Sequence, residues 1–210
     1  MHIKIQGLTI RQKERILFKD FNLELNDKEI IGIHAPTGTG KTTFLNWIAG
    51  IQPQGDSIAI DGIMESSEPY SVSYIFQESR LLPSVTVLRN VSLPLEKIMG
   101  KAKAEQKARE MLEKLLLEGK IDSMPEKLSG GEKQRVAIAR AFVFPGKLLL
   151  MDEPFHSQDD EKRMILLDLT KRIIEEENRI AIIVSHNKTD FEALGCRIIT
   201  AKDFTENFKT

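Results

Sequence analysis

The run Ala35-Pro36-Thr37-Gly38-Thr39-Gly40-Lys41-Thr42 constrains this chain more than any other segment. It stands between the apolar stretch Ile30, Ile31, Ile33 and a segment, Thr42 to Ala49, whose Phe44, Leu45 and Ile48 recur at helical spacing and which stops at Gly50. A small residue, four variable positions, Gly-Lys and a hydroxyl residue form a loop whose glycines let backbone N–H groups turn inward beside a helix N-terminus. Such a loop cradles phosphate oxygens. Lys41 then reaches the β and γ phosphates, Thr42 offers its hydroxyl to Mg²⁺, and the Thr43 N–H in the first helical turn meets the α phosphate. A bare glycine-rich turn is the competing reading, and it leaves unexplained why strand, loop and helix follow in the order phosphate binding requires.

The rest of the chain reads as an α/β protein. Met1 to Ile10 alternates Ile3, Ile5 and Leu8 with polar residues, a strand pattern, and residues 16–34 read as strand, turn and strand, with Phe18, Phe21, Leu23 and Leu25 before Asn26-Asp27. Lys101 to Glu118 carries Ala104, Ala108, Met111, Leu112 and Leu115 on one face, which predicts an amphipathic helix ended by Gly119. Leu148 to Met151 and Ile180 to Val184 are short continuous apolar runs of the kind found in parallel strands covered on both faces, with Lys162 to Glu175 as the crossover helix between them.

Leu148 to Met151 runs into Asp152-Glu153, which places two carboxylates at the carboxyl edge of a sheet, where open α/β sheets bind ligands. Asp152 is then a Mg²⁺ holder and Glu153 the group that polarises an attacking water. These two motifs define only a phosphate-loop NTPase. A third segment, Leu128-Ser129-Gly130-Gly131-Glu132-Lys133-Gln134, narrows the field. Ser129 with Glu132 is a capping box opening the periodic helix Val136 to Val143, which Pro145 follows. The box accounts for neither glycine. Two glycines at a helix start expose backbone N–H groups, an anion site suited to a γ phosphate brought by another subunit.

With these residues the chain resembles the ABC transporter nucleotide-binding family over essentially its whole length, and Leu128 to Gln134 matches that family's signature motif at every position. The resemblance implies a RecA-like phosphate-loop core with a mainly parallel sheet, an N-terminal antiparallel β subdomain and a small inserted α-helical subdomain. In this reading residues 1–210 form a single ATPase domain, with the core at about 1–85 and 136–210 and the helical subdomain at about 86–135. The resemblance also implies roles. Gln77 in Phe76-Gln77-Glu78 contacts Mg²⁺ or the lytic water and senses a membrane subunit; Asp159 is the D-loop aspartate; His186 in Val184-Ser185-His186 is the switch histidine at the γ phosphate. Lys41, Gln77, Glu153 and His186 are the catalytic candidates, and ATP with Mg²⁺ the ligands.

Four positions depart from the family pattern. Ala35 replaces its usual first glycine, acceptable where φ is negative. No aromatic stands near Arg11-Gln12 to stack on adenine; one base stack is worth about 1–3 kcal/mol, and the Arg11 guanidinium is a candidate replacement. His156-Ser157-Gln158 replaces the usual Ser-Ala-Leu, and Lys28 replaces a turn glycine.

Partners follow from charge and from what is missing. Thirty Lys and Arg balance 31 Asp and Glu, interleaved along the chain, so no stripe for nucleic acid is evident. The lone Cys196 reads as a small apolar residue of a reducing compartment, the N-terminus does not read as a signal peptide, and no apolar run approaches the roughly 20 residues of a membrane span. The expectation is a cytoplasmic protein, peripheral on the inner face of the membrane, paired with a second nucleotide-binding subunit and a separate transmembrane permease. The segment between Gln77 and Leu128 is too short for the coiled coil of the chromosome-maintenance relatives, and one phosphate loop sets the chain apart from the family's translation factors. Phe76 to Pro83 and Asp152 to Phe155 resemble importer motors for nitrate, sulfonate and thiamine precursors more than lipoprotein-release or drug-efflux motors. A release or export motor, an ATP-gated regulatory module and a phosphate-loop enzyme acting on a small molecule are the alternatives.

Overall fold

The computed structural model describes residues 1–51 and 58–205. Alternating apolar side chains pair β1 (His2–Gln12) with β2 (Arg15–Asn26) and β4 (Ile58–Ser66) into an antiparallel sheet of order β2-β1-β4. Ile3, Ile5, Leu8 and Ile10 all face the core although the spacing changes from two to three after Ile5. The register of β1 slips there, and Gly7, at φ 62°, supplies the extra residue that keeps Leu8 inward.

The next strand does not fold back on β2. After a turn in which Lys28 adopts φ 65°, β3 (Ile30–His34) enters a second, all-parallel sheet with β5 (Val72–Ile75), β6 (Leu148–Asp152), β7 (Ile180–Val184) and β8 (Arg197–Thr200), ordered β5-β6-β7-β3-β8. Both faces of this sheet are covered, which explains the unbroken apolar runs. Leu148, Leu150, Ile180, Ile182 and Val184 point to a core shared with the antiparallel sheet and helix α1 (Lys41–Ile48). Leu149, Met151, Ala181 and Ile183 point to a core built with the helices that follow. Phe18, Phe21, Phe44 and Phe204 pack ring on ring in the first core, with Phe18 and Phe204 stacked at 4.2 Å.

Between β5 and β6 lie α2 (Val87–Ser92), α3 (Glu96–Met99), α4 (Lys101–Lys114) and α5 (Gly130–Val143); α6 (Asp160–Glu176) crosses from β6 to the adjacent parallel β7, and α7 (Lys188–Leu194) precedes β8. Helix α4 ends four residues before the expected Glu118, and Gly119 sits in a short 3₁₀ turn, Glu118–Lys120. The stop is a Schellman turn: Leu116 takes φ 57°, its N–H donates to the Glu113 carbonyl at 3.0 Å, and the Leu117 N–H donates to Leu112 at 2.9 Å. Reversing there buries Leu115 and Leu117 and leaves only Leu116 outside, a gain that outweighs the strain of a left-handed leucine.

Lys28 is held by its N–H to the Arg179 carbonyl at 3.0 Å in a left-handed conformation that costs a side-chain-bearing residue about 1 kcal/mol. Lys28→Gly is expected to stabilise the protein by about 0.5 kcal/mol, after subtracting the larger chain entropy of unfolded glycine. Urea titration checks this as a higher midpoint at unchanged slope.

Candidate functional site

Four neighbouring parallel strands deliver the candidate residues to one edge. β3 runs into the glycine loop, β6 ends at Asp152-Glu153, β7 is followed by Ser185-His186, and β5 by Phe76-Gln77. They meet around a cavity of about 240 Å³ lined by Thr37, Gly38, Gly40, Lys41, Thr42, Thr43, Gln77, Asp152, Glu153 and His186, with Gln12 and Leu17 at its rim.

Local geometry builds the loop. Gly38 and Gly40 adopt φ 79° and 92°, which exposes backbone N–H groups at the start of α1. Gly40 is constrained twice, because a Cβ there would lie 3.0 Å from Leu17. Ala35 has no positive φ, so its methyl group replaces a glycine without strain. Lys41 donates to the carbonyls of Ala35 (2.7 Å) and Pro36 (2.9 Å), and the Thr39 hydroxyl donates to Pro36 at 2.8 Å. Ala35, Pro36 and Thr39 thus shape the loop from behind, while the other loop residues face the cavity.

The charged groups are partly stripped of water. Burial raises the Asp152 carboxyl above its ordinary range, against the Thr42 hydroxyl that donates to Oδ2 at 2.7 Å and the nearby Lys41. Burial raises Glu153 as well, with the His186 ring, 2.9 Å from Oε1, opposing it. Burial lowers Lys41, against the attraction of both carboxylates. Glu153 also carries φ 50°, a left-handed backbone held by its N–H to Val184 at 3.0 Å and by His156 on its carbonyl at 2.8 Å. Strain at a side chain of this kind accompanies functional positioning.

His186 stands on a turn locked from below. Ser185 donates to the buried Asp190 at 2.6 Å and accepts from the Asn187 N–H at 3.0 Å, while Arg163 of α6 makes two 2.7 Å bonds to the same carboxylate. Sequence reasoning missed this bracket, because Asp190 meets Ser185 only through the turn before α7 and Arg163 only through the packing of α6 on α7.

Arg11 does not line the cavity; the adjacent Gln12 does, because successive side chains of a strand point to opposite faces. Ser129, Gly130, Gly131 and Asp159 do not line it either. They sit at the starts of α5 and α6, where Ser129 and Glu132 form the expected capping box and Asp159 accepts the Lys162 N–H at 3.0 Å.

Fold and site define a nucleoside-triphosphatase of the phosphate-loop class. The ABC transporter family profile matches residues 18–156. The thiamine import ATP-binding protein ThiQ of Vibrio cholerae is 35% identical over 187 residues, covering 85% of this chain and 77% of that protein. The lipoprotein-releasing system ATP-binding protein LolD of Buchnera aphidicola is 36% identical over 185 residues, covering 82% and 81%. Among solved structures, the dimeric ATP-binding cassette MJ0796 bound to ADP and Pi superposes with a TM-score of 0.81 at 30% identity, over 97% of this chain and 95% of that one. The chain belongs to the ABC transporter family and is an ATP-binding, ATP-hydrolysing subunit of such a transporter.

Asp152 ionises less readily in the folded chain than in the unfolded one, so its opposition to folding is absent below the ordinary value of 3.8, grows as pH rises above it, and is complete above the raised value. Asp152→Asn, which removes the charge and keeps an acceptor for Thr42, is expected to raise the thermal midpoint of the nucleotide-free protein at pH 7.5. Scanning calorimetry at pH 7.5 checks it.

Proposed function

We propose that this chain is the motor of a solute importer, working as two copies that sandwich two ATP molecules head to tail. Glu153 polarises the water that attacks the γ phosphate, Lys41 neutralises the phosphate tail, and Gln77 and His186 hold the water and the γ phosphate in line. The one observation that carries the pairing is Gly130. It opens α5 with no heavy atom within 4 Å of where a Cβ would be, at a helix N-terminus whose capping box takes the Glu132 N–H and leaves the face at Gly130 open to an anion, yet it does not line its own chain's cavity. A second copy's triphosphate fits that description, with Ser129, Gly131 and Asp159 beside it.

Mg²⁺ suits the donors at hand. The contact between the Thr42 hydroxyl and the Asp152 carboxylate brings together two hard oxygens of the kind Mg²⁺ takes alongside phosphate, and Gln77 is a third candidate. When bound, the ion supplies charge neutralisation on the β and γ phosphates.

The membrane partner is read from the α2–α3 region. Leu82, Leu93 and Ile98 expose 39–54% of their surface beyond Gln77, apolar area suited to a permease loop. None of the described helices is long and apolar enough to cross a membrane; attachment through the permease on the cytoplasmic face is part of the same reading. The division into a core and a helical subdomain at about 86–135 belongs to the same reading: α2 packs against α4 and α5, and these helices share one apolar core with β6 and β7. Import is favoured by the likeness to ThiQ, and the comparable likeness to LolD keeps a release motor as the second reading.

Glu153→Gln is expected to bind ATP like the wild type, to lose turnover by at least about a hundredfold, and to form an ATP-dependent dimer in gel filtration. Wild-type turnover in that variant would refute the base assignment, and Lys41→Ala serves as the control that loses nucleotide. Burial also places the acid limb of kcat/KM, which reports the groups of the free enzyme, above the ordinary glutamate value of 4.5, with activity rising as pH climbs through it and Glu153 ionises. A steady-state pH profile without a limb above 4.5 would contradict the raised carboxyl.

A further inference from the structure

The second glycine of Ser129-Gly130-Gly131 is required for contact rather than for conformation. Neither glycine has a positive φ, yet a Cβ on Gly131 would lie 2.9 Å from the Ser157 carbonyl oxygen and 3.4 Å from Gln158 Nε2. The first turn of α5 therefore presses directly on the turn before α6.

Gln158 closes that contact with both ends of its amide. Nε2 donates to the Gly131 carbonyl at 3.0 Å, and Oε1 accepts from Arg135 Nη1 at 2.9 Å. Positions 131 and 135 are one helical turn apart, so a single side chain grips the start of α5 at two points. Arg135 is only 7% exposed, and its Nε is buried without a partner. Among the described residues, the bond to Gln158 is the hydrogen bond its guanidinium donates. Removing that acceptor leaves a buried cation with less compensation, a loss larger than that of a neutral pair.

The next residue is Asp159, whose carboxylate caps α6. Gln158 thus ties the turn that carries Asp159 to the helix start at Gly130, two features that do not line their own chain's cavity. We propose that Gln158 is a positioning residue for ATP turnover: it holds Ser129, Gly130, Gly131 and Asp159 as one rigid face, so that a second copy's triphosphate meets all of them at once. The proposal rests on the head-to-tail pairing above. Turnover is where its effect falls, because small displacements of groups that complete an active site cost far more in rate than in ground-state binding.

The experiment introduces Gln158→Leu and Gln158→Glu into the wild-type chain and into Glu153→Gln. Glutamate keeps the acceptor for Arg135 and loses the donor to Gly131; leucine loses both. For Gln158→Leu, monomer affinity for a fluorescent ATP analogue is expected within about twofold of wild type, since Gln158 does not line the cavity. Its kcat is expected to fall at least about tenfold, and ATP-dependent dimerisation in the Glu153→Gln background to weaken by a similar factor. Gln158→Glu is expected to lie between leucine and wild type, and it decides the matter if the leucine variant does not fold. Dimerisation and kcat within twofold of the parents, with or without a lower thermal midpoint, would reduce Gln158 to a structural contact and overturn the proposal. Failure of Glu153→Gln itself to dimerise with ATP would instead bring down the pairing on which it rests.

Discussion

A parallel strand has a direction, and laying β5, β6, β7 and β3 side by side puts their carboxyl ends on one edge within reach of a single phosphate chain. Nothing else in the molecule brings Gln77, Asp152-Glu153, His186 and the glycine loop together, since they are scattered along the chain. The two cores exist to hold that edge. Helices on one face and the antiparallel sheet with α1 on the other bury every residue of β6 and β7, so the strand ends cannot slide in register without exposing apolar surface.

The edge is electrostatically strained. A buried carboxylate, a half-buried one and a buried lysine each lean toward their neutral forms, and Glu153 adds a left-handed backbone. A site that receives the triphosphate of ATP is assembled before the nucleotide arrives, so little rearrangement is left for the moment of reaction. The cost falls on the stability of the unliganded protein, which the aromatic cluster and two cores offset.

Ser129, Gly130, Gly131 and Asp159 lie outside the cavity. Gly130 is open to solvent while Gly131 is pressed against Ser157, so two adjacent and chemically identical residues differ in what their missing side chain allows: one leaves open space, the other lets two segments of the same chain touch. The turn to which Gly131 is pressed leads straight into α6, whose Arg163 reaches Asp190 beneath the turn that carries His186. Surface and cavity are therefore joined through the first turn of one helix.

Local spacing in the sequence determined the phosphate loop, the capping box, the two central strands and the family, because each depends on residues within a few positions of one another. Helix α4 was legible except at its end, where Leu115, Leu116 and Leu117 offer three equivalent stops and only the packing of the neighbours decides which one turns outward. The antiparallel β4, the short β5 and β8, and the choice of Gln12 over Arg11 at the cavity rim were decided by tertiary structure, since pairing partners and facing depend on residues far away in the chain. Gln158 is the sharpest case. As a letter it is a polar residue where relatives carry an apolar one, and its meaning appears only when α5 comes close enough for one amide to reach both Gly131 and Arg135.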